Sequence, residues 1–123
     1  MTVRLHLVAI FVNDLERARV FYEDQLGLPL NARGSFGFQF GERVPYIGVH
    51  PALHERAREM VGRETGITLR VDDLYALKAP LESKGISLLT EPVQQGFGIM
   101  AMVADPDGNV LALWEDNITE EDS

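Results

Sequence analysis

An α+β fold of two tandem βαβββ modules is what this sequence predicts, and three observations predict it. Residues 7–18 read LVAIFVNDLERA and residues 66–77 read GITLRVDDLYAL, the two valines of the shared Val-Asn/Asp-Asp-Leu step lying 59 residues apart. A repeat at half the chain length marks a duplicated unit rather than a solenoid of short repeats. Each copy continues from an apolar alternating stretch into helical spacing and then stops at a glycine, at Leu26-Gly27 and at Lys84-Gly85. Finally, 123 residues that are 46% hydrophobic and 24% charged suffice for one core, with no room for a second ordinary domain.

The elements follow in order. Val3 to Val12 reads as a strand, rich in Val, Ile, Leu and Phe. Asn13 or Asp14 is the expected helix N-cap, and Asn13 with Glu16 has the spacing of a capping box. Leu15, Ala18, Phe21, Tyr22 and Leu26 form one helical stripe, and Gly27 stops it. Short strands are expected near 28–32, 35–40 and 44–50, with Gly41-Glu42 as a turn and Pro51 closing the first module. The stretch from Leu53 to Val61 has helical composition and links the halves.

The second module runs in the same order. Thr65 to Val71 reads as a strand, and Asp72 or Asp73 caps a helix with Leu74, Leu77 and Leu81 on one side. Pro80 is expected to kink this helix or to start a second short one. Strands near 86–90, 98–104 and 109–115 complete the set, with Asp105-Pro106-Asp107-Gly108 as a strong turn between the last two. The modules are expected at about 3–51 and 65–116, joined by a linker at about 52–64 and followed by an acidic tail at 117–123.

Composition removes several function classes. Eleven bases against nineteen acids give −8, but five of the acids fall in residues 115–123, so residues 1–114 carry fourteen acids and only −3. The acidity is mostly terminal, and it argues against nucleic acid as a partner. Cysteine is absent, which removes disulfides, thiolate metal sites and cysteine nucleophiles. No apolar run approaches the ~20 residues that span a bilayer. No signal-peptide pattern is visible at the N-terminus, so a cytoplasmic location without a membrane partner is expected. Asn117-Ile118-Thr119 matches a glycosylation acceptor, which carries no weight without secretion.

Four motifs, in this order and spacing, carry a resemblance: Val12 to Ala18; Phe21-Tyr22-Glu23 with Leu26-Gly27-Leu28; Val71-Asp72-Asp73-Leu74; and Asp105-Pro106-Asp107-Gly108-Asn109. Together they span about residues 3–116. The chain resembles the vicinal oxygen chelate superfamily of glyoxalases, bleomycin-resistance proteins and extradiol dioxygenases. The resemblance implies a curved eight-stranded sheet around a cavity, helices outside, and a homodimer that completes the cavity. It further implies a divalent metal in the enzymes and none in the resistance proteins, which sequester a drug.

The resemblance also says where metal ligands belong. Five residues before the two motif valines stand Leu7 and Gly66; four residues after the glycine of Asp-Pro-Asp-Gly stands Ala112; and the matching place in the fourth strand is near Gly48. None of these side chains binds a metal, which needs His or carboxylate donors. His6 and Glu115 have the wrong strand parity for the site. His50 and His54 have i, i+4 spacing, but Pro51 follows His50 directly. These histidines are read as surface or strand-end residues in preference to ligands, and no metal and no cofactor are expected.

What the cavity offers instead follows from alternation. Leu5, Leu7, Ala9 and Phe11 share one face, as do Tyr46, Gly48 and His50, Gly66, Thr68 and Arg70, and Val110, Ala112 and Trp114. The expected ligand-binding residues are Phe11, Tyr46, His50, Thr68, Arg70 and Trp114, an apolar lining with few polar groups. Phe11 and Trp114 also suit a packed core, and Trp114 suits stacking on a planar or cationic ligand. Arg70 needs a partner, either a protein carboxylate such as Glu115 or an anionic ligand. Met100 and Met102 are read as gap-filling core. The expected function is metal-independent binding of a small apolar or aromatic molecule in a dimeric cavity, of the antibiotic-resistance type. Alternatives are a metal-dependent lyase, isomerase or dioxygenase, and a metal-free enzyme using Arg70, His50 or Tyr46.

Overall fold

The computed structural model describes residues 1–117. The chain divides into two compact units, Met1–Arg63 with Asp105–Asn109, and Glu64–Ala104 with the strand that begins at Val110. Most of the acidic tail and the last two residues of Asn117-Ile118-Thr119 lie outside the described residues.

Unit 1 holds β1 (Leu7–Val12), α1 (Leu15–Arg19) running on as a π turn (Val20–Gln25), β2 (Leu30–Gly34), β3 (Gly37–Phe40), β4 (Tyr46–Pro51) and α2 (Glu55–Glu59). Unit 2 holds β5 (Glu64–Arg70), α3 (Leu74–Ser83), β6 (Thr90–Gln95), β7 (Gly98–Ala104) and β8 (Val110–Asp116). The strands form two four-stranded mixed sheets, ordered β1-β4-β3-β2 and β5-β8-β7-β6. In each sheet the first strand pairs parallel with the last and the other pairs are antiparallel. This is βαβββ twice, as the repeat predicts.

The repeat reaches atomic detail. Asp14 accepts a hydrogen bond from the Arg17 amide at 3.1 Å, and Asp73 accepts one from the Ala76 amide at 3.0 Å. Each carboxylate satisfies one of the amides that a helix start leaves unpaired. Each helix then covers one face of its own sheet. Ala18, Phe21 and Tyr22 are buried with Ile10, Val12, Phe40 and Val49; Leu74, Leu81 and Ile86 are buried with Ala101, Val103, Leu111 and Leu113. The opposite sheet faces stay half-open, with Leu7, Ala9 and Phe11 in unit 1 and Ala112 and Trp114 in unit 2 only part-buried.

The turn at Asp105–Asn109 is a clasp within unit 1. Asp105 is 5% exposed and accepts four hydrogen bonds: from the Tyr22 hydroxyl at 2.7 Å, the Asn109 side-chain amide at 2.9 Å, and the Asp107 and Asn109 backbone amides, each at 2.9 Å. Asn109 in turn donates to the Phe11 carbonyl at 3.0 Å and accepts from the Gly62 amide at 2.8 Å. Burial, then the Asp105 charge and hydrogen bond, push the Tyr22 hydroxyl well above the ordinary phenol range.

Several boundaries differ from expectation for physical reasons. β1 starts at Leu7, not Val3, because its partner β4 starts at Tyr46. Upstream of Tyr46 stands Pro45, which has no N–H for a ladder, so β4 does not begin at Val44 either. Leu5 therefore precedes the strand and is 63% exposed. Asp14 alone caps α1; the capping box is not formed, since the Asn13 amide donates to Asp107 and Glu16 binds Arg19. The helix runs unbroken through Pro80 to Ser83.

Residues 86–89 are not a strand. They follow a Schellman closure in which the Gly85 amide bonds the Glu82 carbonyl at 3.0 Å and the Ile86 amide bonds the Leu81 carbonyl at 2.9 Å. Gly85 takes φ +92° there, and Ile86 buries its side chain as the closing apolar contact. The true β6 is an edge strand with Pro92 and a bulge between Thr90 and Val93.

Candidate functional site

Register assigns each sequence-predicted residue to a face. In unit 1, Leu7 pairs with Tyr46, Ala9 with Gly48 and Phe11 with His50, so Phe11, Tyr46 and His50 share the open face. In unit 2, Thr68 pairs with Ala112 and Arg70 with Trp114, so Thr68, Arg70 and Trp114 share that unit's open face. The six expected ligand residues thus fall into two trios, one in each unit.

The unit 1 trio is aromatic. The Phe11 ring meets His50 at 6.1 Å and His54 at 6.4 Å, both edge-on. Gly48, one row along on the same face, lies in a tight spot: a Cβ there would stand 2.7 Å from His50 Nε2 and 2.9 Å from both Leu7 methyl carbons. Beside it an open depression of about 170 Å³ is lined by Arg33, Phe36, Phe38, Gln39 and His50. A second depression, about 290 Å³, is formed by Glu16, Arg17, Val20, Gln25 and Pro106 and contains none of the expected residues.

The four inherited metal positions do not fit a divalent cation. Leu7 and Gly48 project to the same spot, and Leu7 methyls fill it. Ala112 has no donor. Gly66 sits in a bulge with φ +74°, where the Thr65 hydroxyl bonds the Val110 carbonyl at 2.7 Å and the Ile67 amide bonds back to it at 3.1 Å. This bulge shifts the pairing of β5 against β8 between Glu64 and Thr68, while burial still alternates along β5. Among the described residues no group of three or more His, Asp or Glu is placed to hold a metal ion.

The near misses have other employment. His6 precedes β1, so strand parity does not govern it; its ring meets Tyr46 edge-on at 5.6 Å. His54 caps α2, its Nδ1 accepting from the Ala57 amide at 3.2 Å. That bond fixes the neutral tautomer with the proton on Nε2. Glu115 accepts from the Leu74 amide at 2.7 Å and so supports the start of α3. It is therefore not the partner of Arg70. That partner is Asp116, at 3.3 Å, and the Arg70 side chain is 74% exposed rather than enclosed.

Some lining residues had another expected role. Met100 pairs with Trp114 and Met102 with Ala112, so both methionines lie part-buried on the open face and not in the packed core. The signal was available: a tight turn that pairs Ala104 with Val110 fixes every later pair of the hairpin. Gly98 belongs to the same region, since an added Cβ there would collide with the Trp114 indole.

Known proteins share both sequence and fold with this chain. The sequence model described as Glyoxalase/Bleomycin resistance protein/Dioxygenase superfamily matches residues 4–113. A member of that superfamily from Sphaerobacter thermophilus DSM 20745 is 23% identical, covers 94% of this chain and 98% of its own, and superposes with a TM-score of 0.80, which speaks for the fold alone. TnmS3, an antibiotic binding protein from Streptomyces sp. CB03234, is 29% identical with a TM-score of 0.76, covering 94% of this chain and 97% of its own. The lactoylglutathione lyase of Haemophilus influenzae is 29% identical over 122 residues, 89% of this chain and 90% of the enzyme.

Proposed function

This chain belongs to the Glyoxalase/Bleomycin resistance protein/Dioxygenase superfamily, and we propose that it is a metal-independent binding member that sequesters a small apolar or aromatic molecule in the cytoplasm. A second copy of the chain completes the pocket. Phe11, Tyr46, His50, Thr68, Arg70 and Trp114 supply the contacts, most of the affinity coming from apolar area withdrawn from water.

The observation that carries this reading is the chemistry at Leu7, Gly48, Gly66 and Ala112, none of which can donate an electron pair to a metal from its side chain. The Leu7 methyls over Gly48 support it further, since they make that spot apolar. The 29% identity to an antibiotic binding protein agrees with it. The test is a thermal-shift screen against aromatic antibiotics and small acids, with sedimentation measured alongside. A ligand at one hundred times its Kd adds about 2.7 kcal/mol of stability, so a true ligand raises the Tm by a further step with each tenfold increase in its concentration, and the chain sediments as a dimer. A screen in which no aromatic compound moves the Tm contradicts the proposal.

A second reading is favoured by the 29% identity to a lactoylglutathione lyase. It is a metal-dependent lyase, isomerase or dioxygenase, and it requires donors at positions other than these four. A metal-free enzyme of the same fold is a separate alternative, with His50, Tyr46 or Arg70 as acid, base or electrostatic stabiliser.

A further inference from the structure

The open face of unit 2 carries an ordered row of chemistry. Arg70 pairs with Trp114 across β5 and β8, and Trp114 pairs with Met100 across β8 and β7. The neighbouring row holds Thr68, Ala112 and Met102. Small Ala112 and Thr68 leave the indole accessible beside them. Gly98 has no side chain to push the indole away, so the ring lies against the sheet backbone. An aromatic surface is therefore flanked by a guanidinium on one side and a thioether on the other.

Arg70 is unusual within the repeat. At the offset of 59 residues its counterpart in the first module is Phe11, so the first module has no cation at this position. Asp116 engages it at 3.3 Å through Nη2, and the side chain is 74% exposed. A guanidinium offers five N–H donors in a planar fork. Asp116 is the more covered partner, while the Arg70 end of the pair stands in water, where a contact at 3.3 Å holds the guanidinium weakly. The fork can therefore take a second carboxylate. Asp116 also repels anions nearby, so a carboxylate without a ring to stack gains little from approaching.

We infer that this face binds a planar aromatic carboxylate. Its ring system lies on Trp114 and against the adaptable methionine pair. Its carboxylate bonds the Arg70 fork. This rests on the small-molecule reading above and adds the charge and shape of the ligand.

Trp114 is the single tryptophan of the chain, so its emission reports on this face alone. The probes are 2-naphthoate and its uncharged isostere 2-naphthamide, titrated against intact protein. Saturable quenching is expected, with naphthoate bound about tenfold more tightly than naphthamide. Arg70→Gln, a change at an exposed side chain, should bring the two to parity. Asp116→Asn should tighten naphthoate binding, and acetate should not displace it. Equal affinity of the two probes for the wild type, or a preference that survives Arg70→Gln, removes Arg70 from the site while leaving small-molecule binding intact. Thermal-shift hits that leave Trp114 emission unchanged overturn the inference by moving the ligand elsewhere. Only a chain that no aromatic compound stabilises or quenches loses both.

Discussion

Replacing Asp105 by alanine should cost this protein a large part of its stability. The carboxylate is 5% exposed and accepts from Tyr22, from the Asn109 side chain and from two backbone amides. Truncation leaves all four donors without that acceptor. The part-buried Asp107 backbone amide is set aside, and the buried Asn109 backbone amide is left out as well, which makes the sum below a lower bound. The buried Tyr22 hydroxyl and Asn109 side-chain amide each lose about 1–3 kcal/mol when unsatisfied, so the sum is about 4 kcal/mol. A domain of this size holds about 5–15 kcal/mol in total, so the variant should melt on the order of 15 °C lower. Urea unfolding and calorimetry measure it, and a loss below about 1 kcal/mol would refute the clasp as a stabilising unit.

A pH arm sharpens the test. The folded state raises the Tyr22 pKa above its unfolded value. Its contribution is therefore fully present below about pH 10 and is lost as pH rises further, because the unfolded chain ionises first. Wild type should lose about 1.4 kcal/mol per pH unit more than Tyr22→Phe above that point. Identical alkaline slopes for the two proteins would mean that the hydroxyl is not held protonated by its surroundings.

Three further changes probe the two faces. Gly48→Ala should cost no more than about 1 kcal/mol, because the atoms that the new methyl meets are the far ends of the Leu7 and His50 side chains, and adding Leu7→Ala should recover part of that loss in a double-mutant cycle by urea unfolding. Gly98→Ala should displace the Trp114 ring, shifting its emission to the red and costing about 1–3 kcal/mol, and an unchanged spectrum would contradict the packing. His54→Ala should cost about 1 kcal/mol by removing the α2 cap, whereas His54→Asn should retain most of it, both read from thermal melts.

Much of the fold was legible because duplication tests each assignment twice. Asp14 and Asp73, 59 residues apart, cap their helices in the same way; Val12 ends β1, and Val71 directly follows the last residue of β5. What stayed hidden depends on tertiary partners. The start of β1 is set by Pro45, just ahead of a strand nearly forty residues away. The π turn from Val20 to Gln25 leaves no mark in a short apolar stripe, and β6 hides behind a proline and a bulge.

The open faces followed from alternation, but the register of a bulged pair did not. Tyr46, Gly48 and His50 fall where parity puts them, while the bulge at Gly66 shifts β5 against β8. The partner of Arg70 is a case of the same kind: Glu115 was the nearer expectation, but it points to the α3 amides, and Asp116 on the next position meets the guanidinium.

Everything proposed for function turns on the side chains at Leu7, Gly48, Gly66 and Ala112. Elemental analysis of the purified protein, repeated after incubation with nickel, zinc, manganese or iron and followed by dialysis, addresses them together. Substoichiometric metal, with no gain in Tm and no turnover on adding any of the four, is the expected outcome. One firmly held ion per chain, whose removal by chelator lowers the Tm or abolishes turnover, would contradict it.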